Sequence, residues 1–444
     1  MSRRSLSRGR ANMLHRGFRI LLPLAILLRS TDAVDNGLAL TPQMGWNTWN
    51  TFACNINEGT IIGAAKALKK LKLDEYGYHY VVMDDCWSLH ERNATGYLQY
   101  DPAKFPKGIK RLADEIHAMG LGFGMYSSAG KMTCGRYPGS LHFEEKDADL
   151  FAEWGVDYLK YDNCFNEGQS GTPLISFERY ERMSKALNKT GRPILYSMCN
   201  WGEDSPWDWA PTIANSWRMS GDIVNVFDRY DDRCPCEDYI CRLPGHHCSI
   251  MNIINKAAPL GQKAHTGAWN DLDMLEVGND NLDYEEQKLH FTIWAMVKSP
   301  LIMGHDIMHT SDQTLEILTN KDIIDLSQGK WGVGFRSYKR GKSQLWLQDS
   351  KDGSGDMVVA VINNGDQERG LMIDFADIFL DEWDRRKVEY QVTDLWTKED
   401  LGLVKDELKV KVKPHGVFVG RLKFTGDPKM KPKTKKFHGG PDEL

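Results

Sequence analysis

Tyr80-Val-Val-Met-Asp-Asp-Cys-Trp87 and Tyr158-Leu-Lys-Tyr-Asp-Asn-Cys164 are the two segments of this sequence that decide its fold. Each is a short apolar or β-branched run that ends in carboxylates and is followed by a stretch with helical periodicity. Runs of this length suit buried parallel strands, because helices cover both faces of such a sheet. The same theme recurs between residues 40 and 310, and the runs end near Trp46, Asp85, Tyr126, Asp162, Cys199, Asp222, Asp271 and His305.

Eight strand–helix units over about 270 residues predict the α/β class and a (β/α)8 TIM barrel. A doubly wound sheet is the alternative, but no glycine-rich nucleotide-binding fingerprint follows the first strand. In a barrel the carboxyl ends of the strands carry the chemistry, so the carboxylates at these ends mark the candidate site. The helical stretches between the runs include Thr60–Leu71, Ile109–Met119, Glu145–Trp154 and Phe177–Asn188.

The sequence changes character after about residue 330. Runs of β-forming residues separated by Gly, Asn and Asp turns predict a small C-terminal antiparallel β-sandwich. We therefore expect a catalytic barrel at 34–330, a β domain at 331–425 and a Lys-rich, disordered tail at 426–444. The predicted strands of the β domain are Gln344–Leu347, Asp356–Ile362, Val388–Val392 and Gly416–Gly420.

The first 33 residues have the pattern of a secretory signal peptide. Several Arg side chains precede the apolar run Ile20–Leu28, and Thr31-Asp-Ala33 places small residues before a cleavage point. That run is too short to span a bilayer, although an uncleaved anchor is the alternative. Cleavage would leave 49 basic and 60 acidic residues and change the net charge from −5 to −11. This acidic balance argues against a nucleic-acid partner, and no membrane association is expected after cleavage.

Nine cysteines fit an exported chain, and their odd number leaves at least one thiol free or paired between chains. The segment between Cys234 and Cys248 contains four cysteines and two histidines, which is a possible zinc site. In an exported chain two local disulfides are the favoured interpretation. Asn93 and Asn188 begin acceptor sequons for N-glycans. The terminal Pro441-Asp-Glu-Leu444 is close to an ER-retention signal, with a chance tail as the alternative.

Asp162 and Asp222 have settings that suit the two carboxyl groups of a glycoside hydrolase, in which one group attacks the anomeric carbon and the other protonates the leaving oxygen. Lys160 stands two residues before Asp162 and so points to the same side of a strand. We expect it to lower the pKa of Asp162 and keep the nucleophile ionised. Arg218 precedes Asp222 in an aromatic segment that suits a general acid. For either Asp a helix cap is the structural alternative.

The adjacent carboxylates Asp84 and Asp85 repel each other unless cations or hydroxyl donors offset them. A metal ion is one explanation, and hydrogen bonds to vicinal sugar hydroxyls are another. Trp46 and Trp87 are candidates for an apolar floor under a pyranose ring, although each Trp alone is as readily explained by core packing.

Six motifs in this order make the sequence resemble glycoside hydrolase family 27, in particular its fungal and yeast α-galactosidases, or melibiases. The resemblance covers about 38–330 well and the rest weakly. The motifs are Leu40-Thr-Pro-Gln-Met-Gly-Trp-Asn-Thr-Trp49, Met83-Asp-Asp-Cys-Trp87, Leu159-Lys-Tyr-Asp-Asn-Cys164, Cys199-Asn-Trp-Gly202, Trp217-Arg-Met-Ser-Gly-Asp222 and Trp269-Asn-Asp-Leu-Asp-Met-Leu275.

The resemblance implies a retaining double displacement without a metal or organic cofactor. It implies Asp162 as the nucleophile, Asp222 as the acid/base, and Asp84 and Asp85 as binders of galactose hydroxyls. The other implied substrate contacts are Trp46, Tyr126, Lys160, Asn200, Trp201, Arg218 and Gln262. The implied disulfides are Cys54–Cys86, Cys134–Cys164, Cys234–Cys248 and Cys236–Cys241, which leave Cys199 as a free thiol at the pocket wall.

The expected function is that of a secreted exo-α-galactosidase acting on melibiose, raffinose-type oligosaccharides and galactomannan side chains. An α-N-acetylgalactosaminidase is the alternative within the family, and the bulky Cys199-Asn-Trp201 segment favours galactose over it. A catalytically silent secreted sugar-binding protein and a zinc enzyme are the alternatives from other classes. A homo-oligomer is possible, and retention in the ER through the Asp-Glu-Leu terminus is the alternative location.

Overall fold

The computed structural model describes residues 36–229, 234, 247–379 and 383–426. The predicted signal peptide at 1–33, residues 427–444 of the predicted tail, and Cys236 with Cys241 lie outside these ranges. Contacts divide the chain into a short unit, Met1–Asp32, and a large unit, Ala33–Leu444, to which every element below belongs. No helix in the described part of the chain has both the length and the apolar composition needed to cross a bilayer.

Eight parallel strands form a sheet in the order β7-β6-β5-β4-β3-β2-β1-β8. Leu275, just beyond β7, bridges Met303 of β8, so that backbone hydrogen bonds close the barrel. The predicted (β/α)8 barrel is therefore confirmed, and the doubly wound alternative is wrong. The strands are β1 (Met44–Asn47), β2 (Tyr80–Val82), β3 (Gly122–Ser128), β4 (Tyr158–Asp162), β5 (Leu195–Cys199), β6 (Ser216–Arg218), β7 (Trp269–Asp271) and β8 (Leu301–Met303).

α-Helices lie between most of these strands, and several of them bury one apolar stripe. In α2 the buried residues Ile61, Ala65 and Leu68 recur at helical spacing. Capping boxes begin α6 at Ser249 and α7 at Asp283. The barrel helices are α1 (Trp49–Phe52), α2 (Glu58–Lys70), α3 (Ile109–Ala118), α4 (Glu144–Trp154), α5 (Pro173–Lys189), α6 (Ile250–Ala257), α7 (Tyr284–Met296), α8 (Asp312–Leu318) and α9 (Lys321–Gln328).

The C-terminal part is an antiparallel β structure with a six-stranded sheet in the order β14-β13-β16-β11-β10-β9 and a separate pair, β12-β15. This agrees with the predicted β-sandwich. Two short helices, α10 (Phe375–Ile378) and α11 (Trp383–Arg386), follow β12. The strands are β9 (Phe335–Arg340), β10 (Ser343–Asp349), β11 (Met357–Asn363), β12 (Arg369–Asp374), β13 (Tyr390–Asp394), β14 (Asp400–Val404), β15 (Glu407–Val412) and β16 (Val417–Phe424).

The strands β10 and β11 of the six-stranded sheet are buried on both faces, and alternate residues along them point to opposite sides. Leu345, Val359 and Val361 belong to the inner core of the β domain. Trp346 and Val358 belong instead to the large core that the barrel strands and helices share. The barrel and the β domain therefore pack through a common apolar core.

Candidate active site

A cavity of about 550 Å³ opens at the carboxyl ends of the barrel strands. Two of its walls carry the carboxyl groups predicted as catalytic, Asp162 and Asp222, and buried cations lie beside each of them. The polar lining is formed by Asn50, Thr51, Asp84, Tyr126, Lys160, Asp162, Arg218, Asp222, Asn225, His247, Asp273, Glu276, Asn279, Asp280 and Asn281.

Asp162 is the last residue of β4 and is buried at the base of the cavity. Its Oδ2 accepts a hydrogen bond from the Tyr126 hydroxyl at 2.8 Å, and its Oδ1 accepts one from the Asn163 N–H at 2.8 Å. Burial raises the pKa of Asp162 from 3.8 to about 7, although Lys160 acts in the opposite direction. The expectation that Lys160 gives this carboxyl a lowered pKa is therefore wrong, because desolvation outweighs the attraction.

Lys160 forms its ion pair with Asp84 rather than with the carboxyl group two residues away. Its Nζ lies 2.8 Å from Asp84 Oδ2, and both side chains are nearly inaccessible to solvent. Asn47 at the end of β1 donates to the same oxygen at 2.8 Å. Burial alone would lower the pKa of Lys160, but Asp84 raises it well above the usual value. Asp84 is thus held in one orientation by a charged and a neutral donor.

Arg218 at the end of β6 binds two carboxylates at once. Its Nη2 lies 2.6 Å from Asp273 Oδ2 and 3.0 Å from Asp222 Oδ1. Asp273 is buried with Arg218, whereas the side chain of Asp222 is 43% exposed. Asp273 also accepts a hydrogen bond from the Ile223 N–H at 2.8 Å, directly beside Asp222. The buried pair therefore anchors both the side chain and the backbone of the predicted acid/base.

Sequence reasoning assigned no role to Asp273 or to Glu276, which also line the cavity. The sequence contains a signal for Asp273, because it stands two residues after another carboxylate, Asp271, at the end of a strand. Asp273 has a left-handed backbone with φ of 78°, and its N–H bonds to the Asp271 carboxylate at 2.8 Å. Glu276 is buried and accepts hydrogen bonds from Asn50 and Asn279, and burial raises its pKa to about 7.

Asp85 and Trp46 were predicted to contact substrate, but neither lines the cavity. Asp85 is buried, and its carboxylate accepts hydrogen bonds from the backbone N–H groups of Cys86 and Gly135 at 2.7 Å each. Asp84 lines the cavity, whereas the carboxylate of Asp85 turns toward the loop that carries Gly135. Trp46 is fully buried, and its indole N–H donates to the His305 carbonyl at 2.8 Å.

Asn200, Trp201 and Gln262 are also absent from the cavity wall. Asn200 is fully buried after β5 and donates to the carbonyl of Glu203 at 2.8 Å. Gln262 is exposed in a short turn between α6 and β7, where the chain approaches the amino end of the strand. That turn lies at the end of the barrel opposite to the cavity, so its predicted substrate contact is wrong.

Cys199 is buried, and it is the free cysteine among the residues that the structure describes. Its sulfur lies 3.5 Å from Arg218 Nη1, and burial raises the pKa of the thiol well above its usual value. It faces a second, much smaller cavity of about 20 Å³ in the barrel interior. This cavity also touches Lys160, Asp271 and Asp273, so the thiol lies beneath the site rather than on its main wall.

Three disulfides have the pairing that the resemblance implies: Cys54–Cys86, Cys134–Cys164 and Cys234–Cys248. The implied Cys236–Cys241 bond lies outside the described residues. Within those residues, Cys134, Asp162 and Cys164 come close enough to bind a metal ion together. Because their two sulfurs are bonded to each other, this group offers no thiolate ligand. Likewise, the Cys234–Cys248 bond removes two ligands from the alternative zinc site.

The two glycosylation sequons lie on the surface. Asn93 is exposed in the loop after β2, and its side-chain oxygen accepts a hydrogen bond from the Thr95 hydroxyl at 2.8 Å. Asn188 is exposed near the end of α5. Neither residue lines the cavity.

Models of two protein families match this chain. The model described as "Alpha galactosidase A" (Melibiase_2) matches residues 41–329, and the model of the "Alpha galactosidase C-terminal beta sandwich domain" matches residues 340–422. Alpha-galactosidase mel1 of Schizosaccharomyces pombe is 53% identical over 396 residues, which are 87% of this chain and 90% of the relative. An alpha-galactosidase of Zygotorulaspora mrakii is 52% identical over 378 residues, with 80% of each chain covered.

Solved structures agree with these relatives. Alpha-galactosidase I from Mortierella vinacea has a TM-score of 0.85 and 48% identity, and the match covers 87% of this chain and 98% of that one. The α-galactosidase of Saccharomyces cerevisiae, solved with raffinose, has a TM-score of 0.83 and 41% identity. That match covers 88% of this chain and 99% of the yeast chain.

Proposed function

This chain belongs to glycoside hydrolase family 27, the α-galactosidase A or melibiase family, and on that premise we propose that it is a secreted exo-α-galactosidase that acts with retention of configuration. The single observation that carries the proposal is the placement of Asp162 and Asp222 on the wall of one cavity at the carboxyl ends of the strands. Two carboxyl groups that face one pocket are what a double displacement at an anomeric carbon requires.

In the proposed mechanism, Asp162 attacks the anomeric carbon of the galactosyl unit while Asp222 gives its proton to the departing glycosidic oxygen. The first step forms a glycosyl ester on Asp162 and releases the aglycone alcohol. In the second step Asp222 takes a proton from water, whose oxygen attacks the same carbon and releases Asp162. Two inversions at one carbon leave the galactose with its α configuration.

The surrounding charges support these roles. The Tyr126 hydroxyl and the Asn163 N–H donate to the Asp162 carboxylate and so stabilise its ionised form. Arg218 lies between Asp222 and Asp273 and limits the positions that Asp222 can take. Asp84, fixed by Lys160 and Asn47, presents a carboxylate suited to accept hydrogen bonds from sugar hydroxyls.

We propose terminal α-galactosides as substrates, namely melibiose, raffinose-type oligosaccharides and galactomannan side chains. The yeast α-galactosidase solved with raffinose supports this substrate class. The cavity of about 550 Å³ leaves room beyond one hexose for part of the leaving group.

The deciding experiment is hydrolysis of an aryl α-galactoside, with NMR detection of the anomer that is released first. We expect α-galactose, no turnover by Asp162→Asn, and much slower hydrolysis of the matching aryl α-N-acetylgalactosaminide. Release of β-galactose would exclude the double displacement. Hydrolysis of the acetamido substrate alone would assign the alternative specificity, and binding of galactose without turnover would assign a sugar-binding protein.

Secretion belongs to the same proposal and has its own test. Three disulfides in the described residues support an oxidising compartment, and exposed Asn93 and Asn188 are accessible to glycan transfer. Amino-terminal sequencing of enzyme from the culture medium should begin near residue 34, and an endoglycosidase should increase its gel mobility. Activity confined to the cell would favour retention through the Asp-Glu-Leu terminus.

A further inference from the structure

The loop that follows β6 carries Asp222 and is held at several points beyond it. We call residues 219–229 the Asp222 loop. The Cys248 N–H donates to the Asp222 carbonyl at 2.6 Å, and the Met251 N–H donates to the Phe227 carbonyl at 3.0 Å. These backbone bonds tie one side of the loop to the start of α6. The other side of the loop meets the C-terminal β domain.

Phe227 makes the main contact with that domain. Its buried ring stacks on the imidazole of His415, with 4.5 Å between ring centroids and 20° between ring planes. His415 lies in the turn between β15 and β16. A residue of the β domain thus covers a ring five positions after the proposed acid/base.

His415 is fixed by groups from two directions. Its Nδ1 lies 2.7 Å from Glu286 on α7, and its Nε2 lies 3.1 Å from Asp366 in the turn between β11 and β12. A ring with a carboxylate at each nitrogen is best satisfied when both nitrogens carry protons. Burial lowers the pKa of His415, but the two hydrogen bonds outweigh it and raise the pKa. A charged imidazole stacked on a phenyl ring gains cation–π attraction.

The backbone of His415 is itself unusual for a residue other than glycine. Its φ is 50°, in the left-handed region, and its N–H bonds to the Gly365 carbonyl at 3.3 Å. Strain of this kind persists where surrounding contacts determine the position of a residue. A second contact lies nearby, since the Asn364 amide donates to Asp228 in the Asp222 loop at 3.0 Å.

We propose that His415 is a positioning residue for the acid/base, which it holds in place by clamping Phe227 and thereby the Asp222 loop against the barrel. The inference rests on the proposed role of Asp222 and adds a function to the β domain. The loop lacks regular secondary structure, and Asp222 itself is partly exposed. Contacts farther along the loop therefore limit the movement of Asp222. A loop freed at Phe227 would let Asp222 sample positions from which it does not reach the glycosidic oxygen.

The experiment compares kcat/KM for melibiose with kcat/KM for dinitrophenyl α-galactoside. The sugar leaving group needs a proton from Asp222, whereas dinitrophenolate does not. For His415→Asn we expect about a tenfold loss on melibiose and less than a twofold loss on the activated substrate. Asn tolerates the left-handed backbone, so this variant removes the ring without adding strain at that position. A purely structural defect would lower both values equally through loss of folded enzyme.

Two further variants make the test specific. Phe227→Leu removes the same stacking contact by changing the Asp222 loop, and it should produce the same difference between the two substrates. In the double variant its effect should not add to that of His415→Asn. His309→Asn is the matched control, because His309 is an exposed histidine with a single carboxylate partner, Asp306, at 2.8 Å. We expect no change for that variant. Thermal unfolding checks that each variant is folded, and Phe227→Leu decides the matter if His415→Asn does not fold.

Asp222→Ala separates failure of this inference from failure of the proposed function. A strong loss on melibiose alone for Asp222→Ala, with none for His415→Asn and Phe227→Leu, would overturn only the role of His415. Equal losses on both substrates for the His415 and Phe227 variants would overturn it as well. If Asp222→Ala itself showed no dependence on the leaving group, the acid/base assignment would be wrong, and the inference would fall with it.

Discussion

The carboxyl group of Asp162 shows how burial acts on a charged group at the base of the cavity. Burial raises its pKa from 3.8 to about 7, so the folded protein holds the proton more tightly than the unfolded chain does. Its ionisation therefore costs stability. This cost is absent below about pH 4, grows as the pH rises to about 7, and is complete above that.

Asp162→Asn should therefore show opposite effects on activity and on stability. We expect turnover to fall at least about a thousandfold, because the nucleophile is removed. The melting temperature should exceed that of the wild type above pH 7, and the difference should shrink toward pH 4. Differential scanning calorimetry between pH 4 and pH 7 measures this difference in melting temperature. Asp222→Asn is the control, because the side chain of Asp222 is 43% exposed. A difference that does not depend on pH would contradict the buried-charge argument.

Part of the cavity lining could be predicted residue by residue, since Asp84, Tyr126, Lys160 and Arg218 lie on it. Their contacts with substrate stay predictions. The partner of Lys160 was not predictable, because the competing acceptor Asp84 comes from another strand. Asp85 illustrates a different limit. Its direction depends on how the chain turns after β2, where the N–H of the next residue, Cys86, and the N–H of Gly135 in a distant loop donate to its carboxylate.

At the scale of elements, the disulfide Cys54–Cys86 joins the segment after α1 to the loop after β2, which carries Asp84. A disulfide between residues that are 32 positions apart reduces the conformational entropy of the unfolded chain and so stabilises the fold by about 3–4 kcal/mol. The double variant Cys54→Ala, Cys86→Ala should therefore melt at a lower temperature and bind melibiose more weakly. Under reducing conditions the melting temperatures of variant and wild type should converge. If the difference in melting temperature stayed the same under reducing conditions, the loss of stability would come from side-chain packing and not from the missing disulfide.

Strand prediction succeeded where apolar runs are continuous and failed where strands are half exposed. The predicted runs coincide with β10, β11, β13 and β16, whereas β9, β12, β14 and β15 were not predicted. β9 has the sequence Phe-Arg-Ser-Tyr-Lys-Arg and lies at the edge of the six-stranded sheet, where it pairs with β10. β15 alternates as Glu-Leu-Lys-Val-Lys-Val, which is a signal that sequence reasoning could have used.

At the scale of the whole molecule, the barrel and the β domain belong to one compact unit. The six-stranded sheet shares the core of the barrel through a row of buried side chains on one face. Polar bonds cross the same junction, since Arg336 donates to Asn255 at 2.8 Å and Gln348 donates to the Leu326 carbonyl at 2.8 Å. The shared apolar residues of the sheet are Trp346, Val358, Ala360, Ile362, Val417 and Val419.

Removal of the β domain should therefore disable the barrel even though the cavity lies within it. A chain of residues 34–330 would expose the apolar surface that the sheet now covers, and such a surface favours aggregation. We expect this fragment to be insoluble or inactive, and the full chain to unfold in a single calorimetric transition. Activity in the soluble fraction and differential scanning calorimetry measure the two outcomes. Two separate transitions, or a soluble active barrel, would show that the interface is too weak to couple the domains, because independent units unfold at their own temperatures.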